Sequence, residues 1–261
     1  MSRIEPRAIG RRTFLVRAGR GALGFAVLGL AACSGGDEGD TAAPKASGSS
    51  PSEESTSASS SPAGAAELSW SRVDLGFVSA YVLVRGNEAA VVDTGVTGSA
   101  GQIGEVLDEA GPGWAGVRHV VLTHKHGDHA GSVGEVGERA ADAIFYAGEA
   151  DLGAIEATRR LRPVADGDEV FGLQMVASPG HTAGHFAVFD ADSAVLVAGD
   201  ALNNSDGLSG SDPEFTEDET AAADSVRKLA RLEPRVILVG HGPPVQRGAA
   251  AQLQSLAQSL G

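Results

Sequence analysis

Between residues 67 and 261, short apolar runs alternate with longer amphipathic stretches, and glycine-rich polar loops divide them. Residues 73–84 alternate loosely around Gly76, and Arg85-Gly86-Asn87 reads as a hairpin turn into a second strand over 89–93. Helical spacing follows over about 99–110. A buried-strand run covers 117–122, and a helix is expected over about 129–139. The pattern continues with a strand at 143–146, a helix over 148–160, and strands at 171–177, 185–189 and 193–198. Residues 203–216 form a long polar loop, the length of which marks it as a candidate pocket wall or lid. A helix over 217–232, a strand at 235–239 and a closing helix over 245–260 complete the chain. Strand pairs interleaved with helices predict an α/β fold of two mixed sheets face to face with helices outside.

The segment before this domain has a different character. Residues 1–32 read as a targeting peptide: Gly10-Arg11-Arg12-Thr13-Phe14-Leu15 resembles a twin-arginine export signal, and 21–32 is apolar but too short to span a bilayer. It ends in Leu30-Ala31-Ala32-Cys33, which resembles a lipoprotein lipobox, so Cys33 is the expected lipidation site and membrane anchor. Cys33 is the only cysteine, which excludes an intramolecular disulfide framework. Residues 33–66 then form a linker of Ser, Gly, Ala, Pro and acids, with no Leu, Ile, Val or aromatic residue after Cys33 to offset the entropy of ordering. Domain boundaries follow at 1–32, 33–66 and 67–261. Six of the 20 basic residues but one of the 34 acids precede Cys33, leaving 14 against 33 and a net charge of −19. A polyanionic partner such as nucleic acid is not expected.

The chemistry concentrates in T-H-K-H-G-D-H over 123–129, directly after the 117–122 run. Four potential metal ligands, His124, His126, Asp128 and His129, fall within six residues at a strand's C-terminal end. Further on come His181 in S-P-G-H-T-A-G-H, Asp200 in A-G-D and His241 in G-H-G, each beside a glycine after a strand-like run. Five imidazoles and two carboxylates exceed one structural four-coordinate zinc; two sites that leave room for water account for them better.

These elements, together with Val91-Val92-Asp93-Thr94-Gly95, resemble the metallo-β-lactamase-fold hydrolase superfamily in order from about Val73 to His241. The resemblance implies a four-layer αββα sandwich and a seven-ligand dinuclear site like that of glyoxalase II. On that basis His124, His126 and His181 hold one Zn2+, Asp128, His129 and His241 the second, and Asp200 bridges. Two zinc ions against two carboxylates and a shared hydroxide leave roughly one positive charge at the centre. The implied activity is hydrolysis of a small ester, lactone, thioester or amide by that hydroxide, with Asp128 placed to accept a proton. Asp93 and His185 are expected to support ligands rather than bind metal. His119 is expected to be structural or exposed, and Lys125 solvent-exposed. Arg159, Arg160 and Arg162 are either a solvated helix end or a carboxylate-binding group.

Substrate is not fixed by the motifs. Only 20 residues follow His241, too few for the added helical region of glyoxalase II enzymes, and no tyrosine follows Asp200 as it often does in lactonases resembling this chain. The alternatives are a mononuclear iron oxygenase of persulfide-dioxygenase type, a β-lactam-hydrolysing enzyme, and a non-catalytic zinc-binding lipoprotein. Oligomeric state is open.

Overall fold

A computed structural model describes residues 66–260. The export signal, Cys33 and nearly all of the linker lie outside the described residues. Strands β1 (Ser69–Asp74), β2 (Ser79–Arg85) and β3 (Glu88–Val92) form an antiparallel meander. The single strand expected over 73–84 is therefore two, split by a turn at which Gly76 takes φ +91°. Helix α1 (Ala100–Ala110) crosses to β4 (Val117–Val121), which lies parallel to β3.

Next come α2 (Gly127–Ala130) and α3 (Val133–Arg139), in place of one continuous helix over 129–139. The break falls at Gly131-Ser132. A Cβ on Gly131 would lie 2.2 Å from the Gly127 carbonyl, and the Ser132 hydroxyl donates to the Val96 carbonyl. Strand β5 (Ile144–Gly148) continues the sheet. The helix expected over 148–160 is only a 3-10 turn at Glu149–Ala154, followed by irregular chain and an unforeseen strand β6 (Leu161–Val164). Pro163 is tolerated there because β6 is the sheet's edge.

The second sheet contains β7 (Glu169–Val170), β8 (Leu173–Ala177), β9 (Phe186–Asp190) and β10 (Val195–Gly199). A small hairpin, β11 (Leu202–Asn203) with β12 (Ser209–Gly210), and a 3-10 turn at Pro213–Phe215 give structure to the expected long loop. Helix α4 (Glu219–Ala230), strand β13 (Val236–Val239) and helix α5 (Ala249–Ser259) follow. The last helix starts later than expected because Val245 pairs with Ile237.

Sheet order is β1-β2-β3-β4-β5-β6 in one and β13-β10-β9-β8-β7 in the other. Both mix parallel and antiparallel pairs. Three hydrophobic cores separate four layers. Ala80, Val82 and Val84 pack outward against Ile103 and Leu107 of α1, whereas Tyr81 and Leu83 on the alternate face meet Met175, Val188 and Leu238 of the other sheet. Leu196, Ile237 and Phe189 pack against Val226, Leu229 and Leu253 on the far side. Burial of both faces is why these strands read as near-continuous apolar runs. The expected αββα sandwich is the fold observed, and it gathers the polar loops after β4, β8, β10 and β13.

Candidate metal centre

Each side chain at the centre leaves the C-terminal end of a buried strand or the turn after it. His124 and His126 follow β4, Asp128 and His129 lie in α2, and His181 follows β8. Asp200 follows β10, and His241 follows β13. Nitrogen and oxygen atoms of His124, His126 and His181 lie within 4.8 Å of one another, as do those of Asp128, His129 and His241. A third such group joins His124, His129 and Asp200. Asp200 stands between the trios: its Oδ1 is 3.2 Å from His129 Nε2, and its Oδ2 is 3.1 Å from His241 Nε2 and 3.4 Å from His181 Nε2.

The ring nitrogens that face away from the centre are held. His129 Nδ1 meets Asp93 Oδ2 at 2.8 Å, and His124 Nδ1 meets Thr123 Oγ1 at 3.0 Å. His181 Nδ1 meets Ser211 Oγ at 2.9 Å, and His241 Nδ1 donates to the Phe77 carbonyl at 2.7 Å. Such partners fix ring orientation and leave the other nitrogen to a metal. His126 instead turns Nδ1 toward His181 Nε2, 2.9 Å away. Among the buried side-chain atoms here, His124 Nε2 has no hydrogen-bond partner, and His129 Nε2 and Asp200 Oδ1 face each other at 3.2 Å without hydrogen-bond geometry. Buried polar atoms without partners are costly, and cations would satisfy all three.

Asp93, with φ +62°, accepts from the Thr123 amide and hydroxyl as well as facing His129. His185 is buried, with Nδ1 2.9 Å from Ser178 Oγ and Nε2 accepting the Asp200 amide at 3.1 Å. Both thus contact residues of the centre from outside. His119 lies half-buried against Tyr146 and Phe171, away from the site. Lys125 is not simply solvated: Nζ pairs with Glu217 Oε1 at 2.6 Å, which raises the lysine pKa and lowers that of the glutamate. No helix ends at Arg159, which donates to the Gly137, Ala141 and Ala143 carbonyls and ties irregular chain to α3.

Sequence reasoning missed Asp151. Its buried carboxylate accepts from the Lys125 amide at 3.0 Å, the Thr182 hydroxyl at 2.6 Å and the Gly184 amide at 3.0 Å. It also missed Phe77, Ser211 and Phe215. No motif marks them; Ser211 and Phe215 fall in the 203–216 segment, which only its length singles out.

A cavity of about 780 Å³ opens over the centre, bordered by Phe77 and Gly76 of the β1–β2 turn, by Asn203, Ser205, Asp212 and Phe215, and by His126, Asp128, His181, Asp200 and His241. The family model described as Metallo-beta-lactamase superfamily matches residues 73–241, spanning every residue of the centre. The chain belongs to the metallo-beta-lactamase superfamily. It is an enzyme of the metallo-hydrolase type, and its family binds divalent metal.

Among relatives, the probable metallo-hydrolase YflN of Bacillus subtilis is 29% identical, with 65% of this chain and 81% of that protein covered. A hydroxyacylglutathione hydrolase of Cereibacter sphaeroides is 34% identical over 59% of this chain, but the match spans only 57% of that enzyme. The structure of TTHA1623 in a di-iron-bound form is 28% identical with a TM-score of 0.55, covering 67% of this chain and 92% of that one.

Proposed function

We propose that this superfamily member is a dinuclear, zinc-loaded hydrolase of a small ester, lactone, thioester or amide. The observation that carries the reading is the pair of ligand trios with Asp200 between them and their unsatisfied atoms turned inward. Ions bound there would supply Lewis acidity and a water acidic enough to attack a carbonyl at neutral pH. The chain's own groups do the rest. Asp128, partly exposed and 3.4 Å from His241 Nε2 through Oδ2, faces the cavity and is placed to take a proton from the attacking water. Asp93 and Thr123 hold the metal loop, and His185 orients the backbone that presents Asp200. The hydroxyacylglutathione hydrolase relatives support the thioester end of the substrate range.

A second reading concerns the metal. The di-iron-bound form of TTHA1623 makes iron the alternative to zinc; the oxygenase reading is the mononuclear one, with a single iron per chain. Elemental analysis of the purified full chain, paired with an ester, lactone, thioester and lactam panel, separates the readings. About two zinc per chain with chelator-sensitive turnover supports the hydrolase. Iron with no hydrolysis supports an oxygenase, and zinc with no turnover on any substrate supports a binding protein.

We also propose that the enzyme works outside the cytoplasm on a lipid anchor at Cys33, on the strength of Arg11-Arg12 and the Leu30-Ala31-Ala32-Cys33 motif. Cys33→Ala should move the chain from the membrane fraction to the soluble fraction; retention in the membrane would refute the anchor.

A further inference from the structure

We infer that the substrate is a carbonyl compound without a negative charge, carrying an apolar arm that lies against Phe77 and Phe215. This rests on the hydrolase reading and adds the chemistry of the part of the substrate that does not react. Phe77 and Phe215 are 64% and 59% exposed, and only Leu260 joins them as an exposed large apolar side chain among the described residues. Both line the cavity over the metal centre. Phe77 stacks on the His241 ring at 6.1 Å and 16°, so its apolar face stands beside the reacting region. Exposed phenyl rings converging on one polar cavity are what an apolar ligand group would cover.

Charge selects in the same direction. No Lys or Arg lines the cavity among the described residues. Lys125 is paired with Glu217, and Arg159 is bonded to backbone carbonyls elsewhere. Apart from the residues of the centre, the one charged side chain on the wall is Asp212. A carboxylate on the substrate's arm would lie beside the Asp212 carboxylate and two phenyl rings with no Lys or Arg to pair it. Neutral hydrogen-bonding groups meet Asn203 and Ser205 without that cost. In hydrolysis the acyl C–O bond breaks, water adds its hydroxyl to the acyl carbon and a proton to the leaving alcohol. The acid product then ionises at the centre, while the arm along the wall keeps its charge unchanged.

The test uses the full metal-loaded chain and matched esters whose arms end in methyl, ammonium or carboxylate. The methyl and ammonium esters should exceed the carboxylate ester in kcat/KM by roughly ten-fold or more. Asp212→Asn, whose side-chain oxygen can keep the bond from the Glu214 amide, should narrow that ratio. The preference for hexanoyl over acetyl esters should fall about ten-fold in Phe215→Ala and in Phe77→Ala. Equal or better turnover of the carboxylate ester, or an unchanged chain-length preference in both variants, overturns the inference. If no ester, lactone, thioester or amide is cleaved, the hydrolase reading fails by itself. Calorimetric binding of phenyl hexyl ketone against its ω-carboxylate counterpart then decides the pocket: tighter neutral ketone supports the inference, and equal or tighter anion overturns it.

Discussion

The histidines of the centre divide by their neighbours. His241 is raised to about 10 by its bonds to Asp128 and Asp200. Burial pulls His129 down, but Asp200 and Asp93 outweigh it and hold it well above the ordinary 6.5. Without metal, both hold a proton more tightly than free imidazole does, and those protons stand where cations would otherwise balance three carboxylates. Burial drives three more histidines the opposite way: His124 well down, His181 to about 4 and His185 to about 3. The raised pair contributes stability that is full below 6.5 and lost as pH rises through the folded values. The lowered set contributes stability that is full above 6.5 and lost as pH falls. A chelator-stripped protein should therefore melt highest near pH 6.5 and lower toward pH 10. Metal reverses the alkaline arm, because coordination requires neutral imidazole and affinity rises with pH. Melting curves with and without chelator check this; a stripped protein that gains stability from pH 6.5 to 9 would contradict it. Gly240 matters at the same scale, since an added Cβ would lie 2.0 Å from Asp200 Oδ1 and 2.6 Å from His129 Cε1. Gly240→Ala should lower metal content on elemental analysis while circular dichroism still reports the folded sandwich.

Between elements, Asp151 joins two ligand loops: its carboxylate holds the Lys125 amide after β4 and the Thr182 and Gly184 groups after β8. Asp151→Ala strands three donors in the interior, which should cost roughly 3 kcal/mol in urea melts. Metal affinity should fall by about 10- to 100-fold through the loosened loops. An unchanged melt and an unchanged metal titration would remove Asp151 from this role. The residue also shows what the sequence conceals. His124, His126, Asp128, His129, His181, Asp200 and His241 are legible because each combines a ligand atom, a nearby glycine and a preceding apolar run. Asp151 has none of these. It sits in a stretch with helix-like composition, yet Gly148 packs where a Cβ would meet the Gly184 carbonyl at 1.9 Å, and the Asp151 side chain is committed to other loops. Those tertiary demands replace the expected helix by one 3-10 turn. Strand β6 was hidden similarly, since Leu161-Arg162-Pro163-Val164 alternates too little and contains proline; pairing with β5 alone defines it.

Across the whole molecule, the centre exists only while the two sheets stay in register. The first sheet supplies His124, His126, Asp128 and His129, and the second supplies His181, Asp200 and His241. At the metal end, the Ser79 amide donates to the Gly240 carbonyl and the Phe186 amide to the Thr123 carbonyl, each at 2.9 Å. Midway, the Tyr81 hydroxyl donates to the Val239 carbonyl at 2.7 Å. At the opposite end, Arg85 at the close of β2 pairs with Asp190 at the close of β9, with side chains 10% and 2% exposed. Arg85→Leu leaves the Asp190 carboxylate buried with only the Ser193 amide and hydroxyl, which should cost about 3–5 kcal/mol. Replacing both residues by leucine removes the unpaired charge and should recover much of that loss, because the pair's own net contribution is small once desolvation is counted. The pair lies at the strand ends away from the ligand loops, so metal stoichiometry of the folded variants should stay at the wild-type value while the urea midpoint moves. A loss of metal in folded Arg85→Leu would mean instead that sheet register at the far end controls the spacing of the two trios.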